Sequence, residues 1–422
     1  MGDSFVIDGL AGEKRLTGTI AVGGSKNALL SVMAAAMLVD GESHFENVPH
    51  IADLESMSRL LEGLGAYATH RGNTLSINAK ELTSAVFEQS AAKSLRASIL
   101  LVGPVLARLH HVSFPHPGGD VIGERPIDIF LSAFEKLGAT CTQTADTYSI
   151  SAQNGLSGGT IFFRMVSVTA TETLMMAATA ANGPVILKNC AVEPEVVATA
   201  EFLKLCGASI EGAGTPTIHI RPSSLMPPSS AFRIIPDRIE AASFLALGAL
   251  AARDLTVTNL DISHLDAVLD VLERMGVPFS TSKDAVRVEA PDYLHPVRLR
   301  THEYPGFPTD AQAPTMVLLT QAEGESDVIE SVFDGRLNYT SELVRMGANI
   351  TLVSPHRANI RGKTPLHAAN IESPDLRAGL AFVLAAILAE GTSKVGGAHL
   401  VDRGYEAIEK RLSDVGVSIR RA

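Results

Sequence analysis

Reading the chain for its alternation of apolar and polar positions brings out one phrase six times: LEGLGAY, FEKLGAT, LKLCGAS, LERMGVP, LVRMGAN and LSDVGVS. Its glycine falls at Gly65, Gly138, Gly207, Gly276, Gly347 and Gly416, at spacings of 73, 69, 69, 71 and 69 residues. Self-similarity at a fixed period marks a repeat architecture, and this period is too long for an ordinary solenoid. The apolar-periodic run before each glycine predicts an amphipathic helix with Gly at its C-terminal cap. Behind it, short alternating segments such as TLSINA, TYSISA, TIHIRP and AVRVEA predict strands.

A second, more apolar helix is predicted ahead of each amphipathic one: NALLSVMAAAMLVDG, LRASILLVGPVLAR, TETLMMAATAANG, IEAASFLALGALAARD, DAQAPTMVLLTQAEG and LRAGLAFVLAAILAEG. Apolar residues on nearly every side imply burial all round, and the Gly and Ala among them imply close packing against neighbouring helices. Six such helices do not share one core comfortably. The simplest assembly is an α/β protein of two halves, each of three βαβαββ-like units with buried helices inside and sheets outside.

The polar residues recur at one phase of this pattern. At or just before the buried helices stand Lys26 with Asn27, Arg96, Ser167 with Thr169, Asp237 with Arg238, Asp310, and Asp375 with Arg377. Thr169 with Glu172, Asp237 with Glu240, and Thr309 with Gln312 have the spacing of capping boxes. The amphipathic helices begin with another set, including Arg125 with Asp128, Arg336 and Arg403. Helix N-termini expose free N–H groups and partial positive charge, which suits anions. If the units of each half surround a pseudo-threefold axis, their helix starts share a face. Two such faces would enclose a cleft lined by Lys26, Arg96, Arg125, Arg336, Arg377 and Arg403. Ordinary caps and surface ion pairs would account for some of the same residues.

Composition narrows the function. At 422 residues, two or three domains are expected, and 46% hydrophobic with 19% charged residues is the balance of a packed globular protein. A net charge of −11 and the lack of any Lys/Arg block argue against a nucleic-acid partner, though not against a small anion held by a few gathered cations. The 12-residue apolar run at 378–389 is too short to span a bilayer, and MGDSFVIDGL does not read as a signal peptide. Cys141, Cys190 and Cys206 are few, odd in number and not in CxxC spacing, as expected of reduced core residues in a cytoplasm. GLSGG at 155–159 lies between strand-like runs and reads as a loop. GGSKN lacks the Walker spacing, no G-x-G-x-x-G opens a helix after a strand, and His110, His111 and His116 lie close together without a second ligand cluster.

One loop stands out, PHPGGDVIGERPIDIF at 115–130, where glycines flank Asp120 and Arg125 precedes a predicted helix. With GGSKNALL, LRASILLVGP, IIPDRIEAASF, FPTDAQAP, VFDGRLNYTSELVRMGA, DLRAGLAFVLAA and VDRGYEAIEKRL, it gives the whole chain a resemblance to the enolpyruvyl transferases, in their nucleotide-sugar branch. That resemblance implies an inside-out α/β barrel of two domains, residues 22–234 and residues 1–21 with 235–422, and an active site between them. The implied reaction moves the enolpyruvyl group of phosphoenolpyruvate to the 3′-hydroxyl of UDP-N-acetylglucosamine and releases phosphate, the first committed step of peptidoglycan synthesis.

By the same resemblance, Lys26, Arg125 and Arg403 would hold the phosphate of phosphoenolpyruvate, with Arg336 and Arg377 near its carboxylate. Asn27 and Asp310 would address the sugar, Asp310 accepting the hydroxyl proton. Arg96, Arg125, Pro126, Ile127, Asp128, Ser167, Val168 and Val332 would line the nucleotide. Asp120 stands where most well-known members carry a cysteine, the proton donor and the thiol alkylated by fosfomycin. A carboxylic acid there would protonate carbon-3 when neutral, would be a poor nucleophile toward an epoxide, and would ride on a loop that closes as a lid. Asp120, Asp310, Lys26 and Arg403 are thus the expected catalytic groups, and the resemblance implies neither a metal nor an organic cofactor. Met165 and Thr169 depart from the lysine and glycine found in other members. The competing readings are an enolpyruvyl transferase using another nucleotide or shikimate 3-phosphate, and a non-catalytic nucleotide-sugar-binding paralogue.

Overall fold

The six repeat glycines all follow a helix in a left-handed backbone conformation, with φ of 102°, 87°, 102°, 78°, 104° and 104° from Gly65 to Gly416. A Cβ is disfavoured there, so the glycine is the residue that lets the chain leave the helix and turn into the next strand. The computed structural model describes residues 3–119, 123 and 126–422. The helices ended in this way are Ala52–Gly63, Asp128–Lys136, Pro194–Leu205, Asp266–Arg274, Thr340–Arg345 and Ile408–Ser413.

One repeat shows the plan. Strand Gly159–Phe162 leads through the buried helix Val168–Ala178 to strand Val185–Lys188, which pairs with it in parallel, Val185 opposite Gly159. A parallel pair needs such a crossover. Helix Pro194–Leu205 follows, and then the antiparallel pair Ser209–Glu211 and Thr217–Arg221, the latter lying against Val185–Lys188. This is the expected βαβαββ order. The repeat from Arg298–Arg300 to Arg357–Gly362 repeats it.

Three repeats are completed by distant segments. Phe232–Arg233 supplies the parallel partner of Glu42–Glu46, and Leu16–Ala21 that of Ala252–Thr258. Ser4–Asp8 inserts between Thr392–Gly396 and Ser418–Arg421. The sixth sheet has three strands, its parallel neighbour reduced to a single Val86–Ser113 bridge.

The described residues form two compact units, one of residues 3–23 with Pro236–Ala422, the other of Gly24–Gly119 with residues 126–235. Each has its own apolar core. In the first, all of Leu376–Leu388 is buried; in the second, a Cβ at Gly103 would lie 2.3 Å from the Thr173 carbonyl oxygen, so two buried helices approach backbone to backbone. Among the described residues no helix is long and apolar enough to cross a membrane.

Two of the buried helices differ from expectation. The run from Arg96 divides into a 3₁₀ segment, Arg96–Leu101, and an α-helix, Val102–Leu109; likewise Thr309–Ala311 precedes Gln312–Thr320. Pro104 and Pro314 each sit third in the α-segment. Neither can donate to the carbonyl four residues back, as an unbroken α-helix would require, whereas a first-turn position asks for no donor.

The capping boxes are also corrected. Ser167, not Thr169, caps Val168–Ala178, accepting from Ala170 N. Asp237 does cap its helix, but Glu240 turns instead to Gly23 N at 2.7 Å and to Arg411. Thr309 donates to Glu330, and Gln312 accepts from Tyr339. For Glu240, Thr309 and Gln312 a tertiary partner takes the place of the local bond.

Candidate active site

The helix starts of the unit formed by residues 3–23 and Pro236–Ala422 bring together Asp310, Arg336 and Arg377. Asp375 caps helix Leu376–Leu388 by accepting from Arg377 N and Ala378 N, which sets Arg377 in the first turn. Asp310 lies in the 3₁₀ segment Thr309–Ala311, and Arg336 in the turns ahead of Thr340–Arg345. Asp310 Oδ1 accepts from Arg336 Nη2 at 3.0 Å, and Oδ2 accepts from Arg377 Nε at 3.2 Å. Arg377 Nη2 is 3.1 Å from Oδ2 but lacks hydrogen-bond alignment. The arginines are 5% and 2% exposed.

Burial opposes the charge of Arg377; Tyr405, Asp310 and Asp237 outweigh it and raise its pKa above the ordinary arginine value. It is a permanent cation. Tyr405 is also fully buried, and that burial pushes its pKa up against the pull of Arg377 and Ser243. It therefore stays a neutral hydroxyl, accepting from Arg377 Nη1 at 2.9 Å, with the guanidinium 5.5 Å from its ring centre.

Glu330, fully buried, ties the neighbouring loop to this cluster. Its Oε1 accepts from Val332 N at 2.8 Å and Phe333 N at 3.2 Å, while Oε2 accepts from the Thr309 hydroxyl at 2.9 Å. The backbone of Val332 and the turn carrying Asp310 are thereby fixed by one carboxylate. Arg403 is half-buried in the turn after helix Ala398–Val401.

In the other unit, Ser25 caps helix Lys26–Ala36 and leaves Lys26 at its first position. Lys26 Nζ is 3.0 Å from Asp53 Oδ2, both side chains nearly enclosed. Asn27 beside it is half-buried, as are Ser167 and Val168 at the start of Val168–Ala178. Arg96 donates to the Pro117 carbonyl at 3.4 Å, and burial, followed by the charge of Arg96, lowers the pKa of His116. Ile127 is buried, Pro126 exposed, and Asp128 pairs with Arg164 at 2.9 Å on the surface. Asp120 and Arg125 lie outside the described residues.

The sequence reading missed Asp53, Glu330, Tyr405 and a buried trio, Glu172, Glu193 and Glu195. Glu172 is held well above the usual carboxylate range by burial, opposed by a Ser31 hydrogen bond and reinforced by Glu195 and Glu193. Local pattern marks only Glu172, and that as a capping-box carboxylate; what sets these residues apart is a partner far away in the chain. Among the described residues no group of His, Cys, Asp and Glu could hold a metal ion. Chemically, the Asp310 cluster offers two fixed cations for an anion and one carboxylate able to take a proton.

A family model described as EPSP synthase (3-phosphoshikimate 1-carboxyvinyltransferase) matches residues 10–412. The chain belongs to this family of carboxyvinyl transferases. Within it, the chain is 43% identical over 425 residues to the UDP-N-acetylglucosamine 1-carboxyvinyltransferase of Koribacter versatilis, covering 99% of this chain and 96% of that one. To the enzyme of the same name from Campylobacter lari it is 40% identical over 411 residues, covering 97% and 98%. Among solved structures, the enolpyruvyl transferase NikO from Streptomyces tendae superposes with a TM-score of 0.89 at 25% identity, covering 100% and 99%. EPSP synthase from Acinetobacter baumannii, at 18% identity and a TM-score of 0.74 over 99% and 100%, shares the fold.

Proposed function

We propose that this protein transfers the enolpyruvyl group of phosphoenolpyruvate to the 3′-hydroxyl of UDP-N-acetylglucosamine with release of phosphate, in the cytoplasm, at the entry to peptidoglycan synthesis. The observation that carries this reading is the convergence of buried Arg336 and Arg377 on Asp310, in a chain 43% and 40% identical over nearly its full length to two transferases of that name. In the proposed reaction the 3′-hydroxyl proton passes to Asp310 while its oxygen adds to carbon-2 of phosphoenolpyruvate. Carbon-3 takes a proton from a general acid, and the tetrahedral adduct then loses phosphate together with a proton from carbon-3, which restores the double bond. Lys26 and Arg403, with Arg125, are the proposed phosphate ligands, and Asp120 the proposed acid. Asn27, Arg96, Ser167, Val168, Val332 and residues 126–128 are the proposed contacts to the nucleotide sugar.

Fixed cations beside a reacting phosphate and carboxylate stabilise the charge that develops there, which is why arginines held by buried partners suit the task better than mobile surface lysines. The test is phosphate release from phosphoenolpyruvate with three acceptors offered separately. Release with UDP-N-acetylglucosamine, and none with shikimate 3-phosphate or UMP, is expected. Release with shikimate 3-phosphate alone would assign the chain to the other branch, and no release with any acceptor would leave a binding protein.

A further inference from the structure

We propose that Asp310 is the internal counter-ion of Arg336 and Arg377 in the unliganded protein, and that the carboxylate of the enolpyruvyl donor displaces it. Donor binding then hands Asp310 over as the proton acceptor. This inference rests on the functional reading above and adds a coupling to it.

The argument starts from access. The side chains of Arg336 and Arg377 are 4% and 3% exposed, whereas that of Asp310 is 26% exposed. The accessible part of the trio is the carboxylate, so an incoming anion meets Asp310 before either guanidinium. An anion added beside the existing carboxylate would suffer like-charge repulsion in a poorly solvated place. Exchange keeps one carboxylate bonded to the two guanidiniums at every stage, and no two carboxylates need share the same bonds.

The resting contact is also incomplete. Arg377 donates from Nε at 3.2 Å, but its Nη2, enclosed and 3.1 Å from the same oxygen, is not aligned as a donor and has no hydrogen-bond partner. A carboxylate meeting a guanidinium edge-on takes two parallel bonds, from Nε and one Nη. Asp310, tethered at the 3₁₀ turn Thr309–Ala311 and shared with Arg336, achieves only one of these. A small untethered carboxylate is under no such restraint. Tyr405, accepting from Arg377 Nη1 at 2.9 Å, holds the guanidinium in place while its partners change.

The consequence for catalysis is order. A carboxylate clamped by two guanidiniums is a weak base. Once the donor's carboxylate has replaced it, Asp310 regains basicity and can take the acceptor's hydroxyl proton: the O–H bond breaks, the proton joins a carboxylate oxygen, and the oxygen pair forms the new C–O bond. The base is thus activated only when there is a donor to attack.

The test compares phosphoenolpyruvate binding to the full-length wild type and to Asp310→Asn by isothermal titration calorimetry, with pyruvate as a carboxylate-only probe. If the arginines are released from Asp310 about a tenth of the time, removing the competitor tightens binding about tenfold. Tighter binding of both probes, with turnover lost, is the expected result. Equal or weaker binding by Asp310→Asn would overturn the exchange. Should Asp310→Asn fail to fold, a crystal structure of the wild type with phosphoenolpyruvate alone decides the matter: Asp310 still bonded to both arginines refutes the proposal, and the donor's carboxylate in its place supports it. The functional reading fails separately, if the wild type neither binds phosphoenolpyruvate nor releases phosphate with UDP-N-acetylglucosamine.

Discussion

Replacing Glu172 with Gln tests whether a buried carboxyl is kept protonated by its surroundings. Glu172, Glu193 and Glu195 are 2%, 7% and 3% exposed, and Glu172 has Ser31 as a hydrogen-bonding neighbour on helix Lys26–Ala36. Burial and the two neighbouring glutamates raise its folded-state pKa well above the ordinary 4.5. Above that ordinary value the unfolded chain has lost the proton while the folded chain still holds it. The associated stability is fully present below about pH 4.5 and is lost as pH rises through the folded value.

One proton corresponds to a slope of about 1.4 kcal/mol per pH unit. Gln keeps the shape, carries no titrating proton, and so lacks that slope. As pH rises above about 5 the variant should therefore gain stability relative to wild type, by up to about 1.4 kcal/mol per pH unit until the folded value is reached. Since the chain has no tryptophan, urea unfolding would be followed by far-UV circular dichroism. A wild-type-to-variant difference that is flat or shrinks as pH rises would refute the reasoning.

Two further outcomes are expected. Tyr405→Phe removes the acceptor 2.9 Å from a buried guanidinium, a bond worth about 2 kcal/mol; KM for phosphoenolpyruvate should rise by more than kcat falls, with a matching loss of stability, and unchanged kinetics would show that Arg377 needs no such support. Fosfomycin should cause no time-dependent inactivation, because burial pushes the thiols of Cys190 and Cys206 up to about 12 and that of Cys141 up to about 11, and Asp120 offers no thiol; covalent loss of activity on incubation would contradict this.

The fold was legible where one residue answers to one local demand. A helix that must end and turn needs a left-handed residue, so the six glycines announce six units. Alternating segments such as TLSINA and AVRVEA became strands because one face of each is buried. Local patterning failed where a second partner competed. Glu172 and Glu240 have the spacing of capping-box carboxylates, yet one is buried with two other glutamates and the other is bound to Arg411 and Gly23. Pro104 and Pro314 were visible in the sequence, but their effect depended on where each α-segment began.

What the sequence by itself determined is the unit, its number of copies, and the phase at which charged residues enter: properties set by periodicity and by backbone conformation over a few neighbours. Which strands complete which sheet, as when Ser4–Asp8 joins Thr392–Gly396 and Phe232–Arg233 joins Glu42–Glu46, was decided only in three dimensions. The partners of the site were decided there too. Asp310 meets Arg377, 67 residues on, and Arg377 meets Tyr405 and helix-capping Asp375 in a space that water has left. A buried charge takes the strongest partner within reach, and reach is a property of the packed chain.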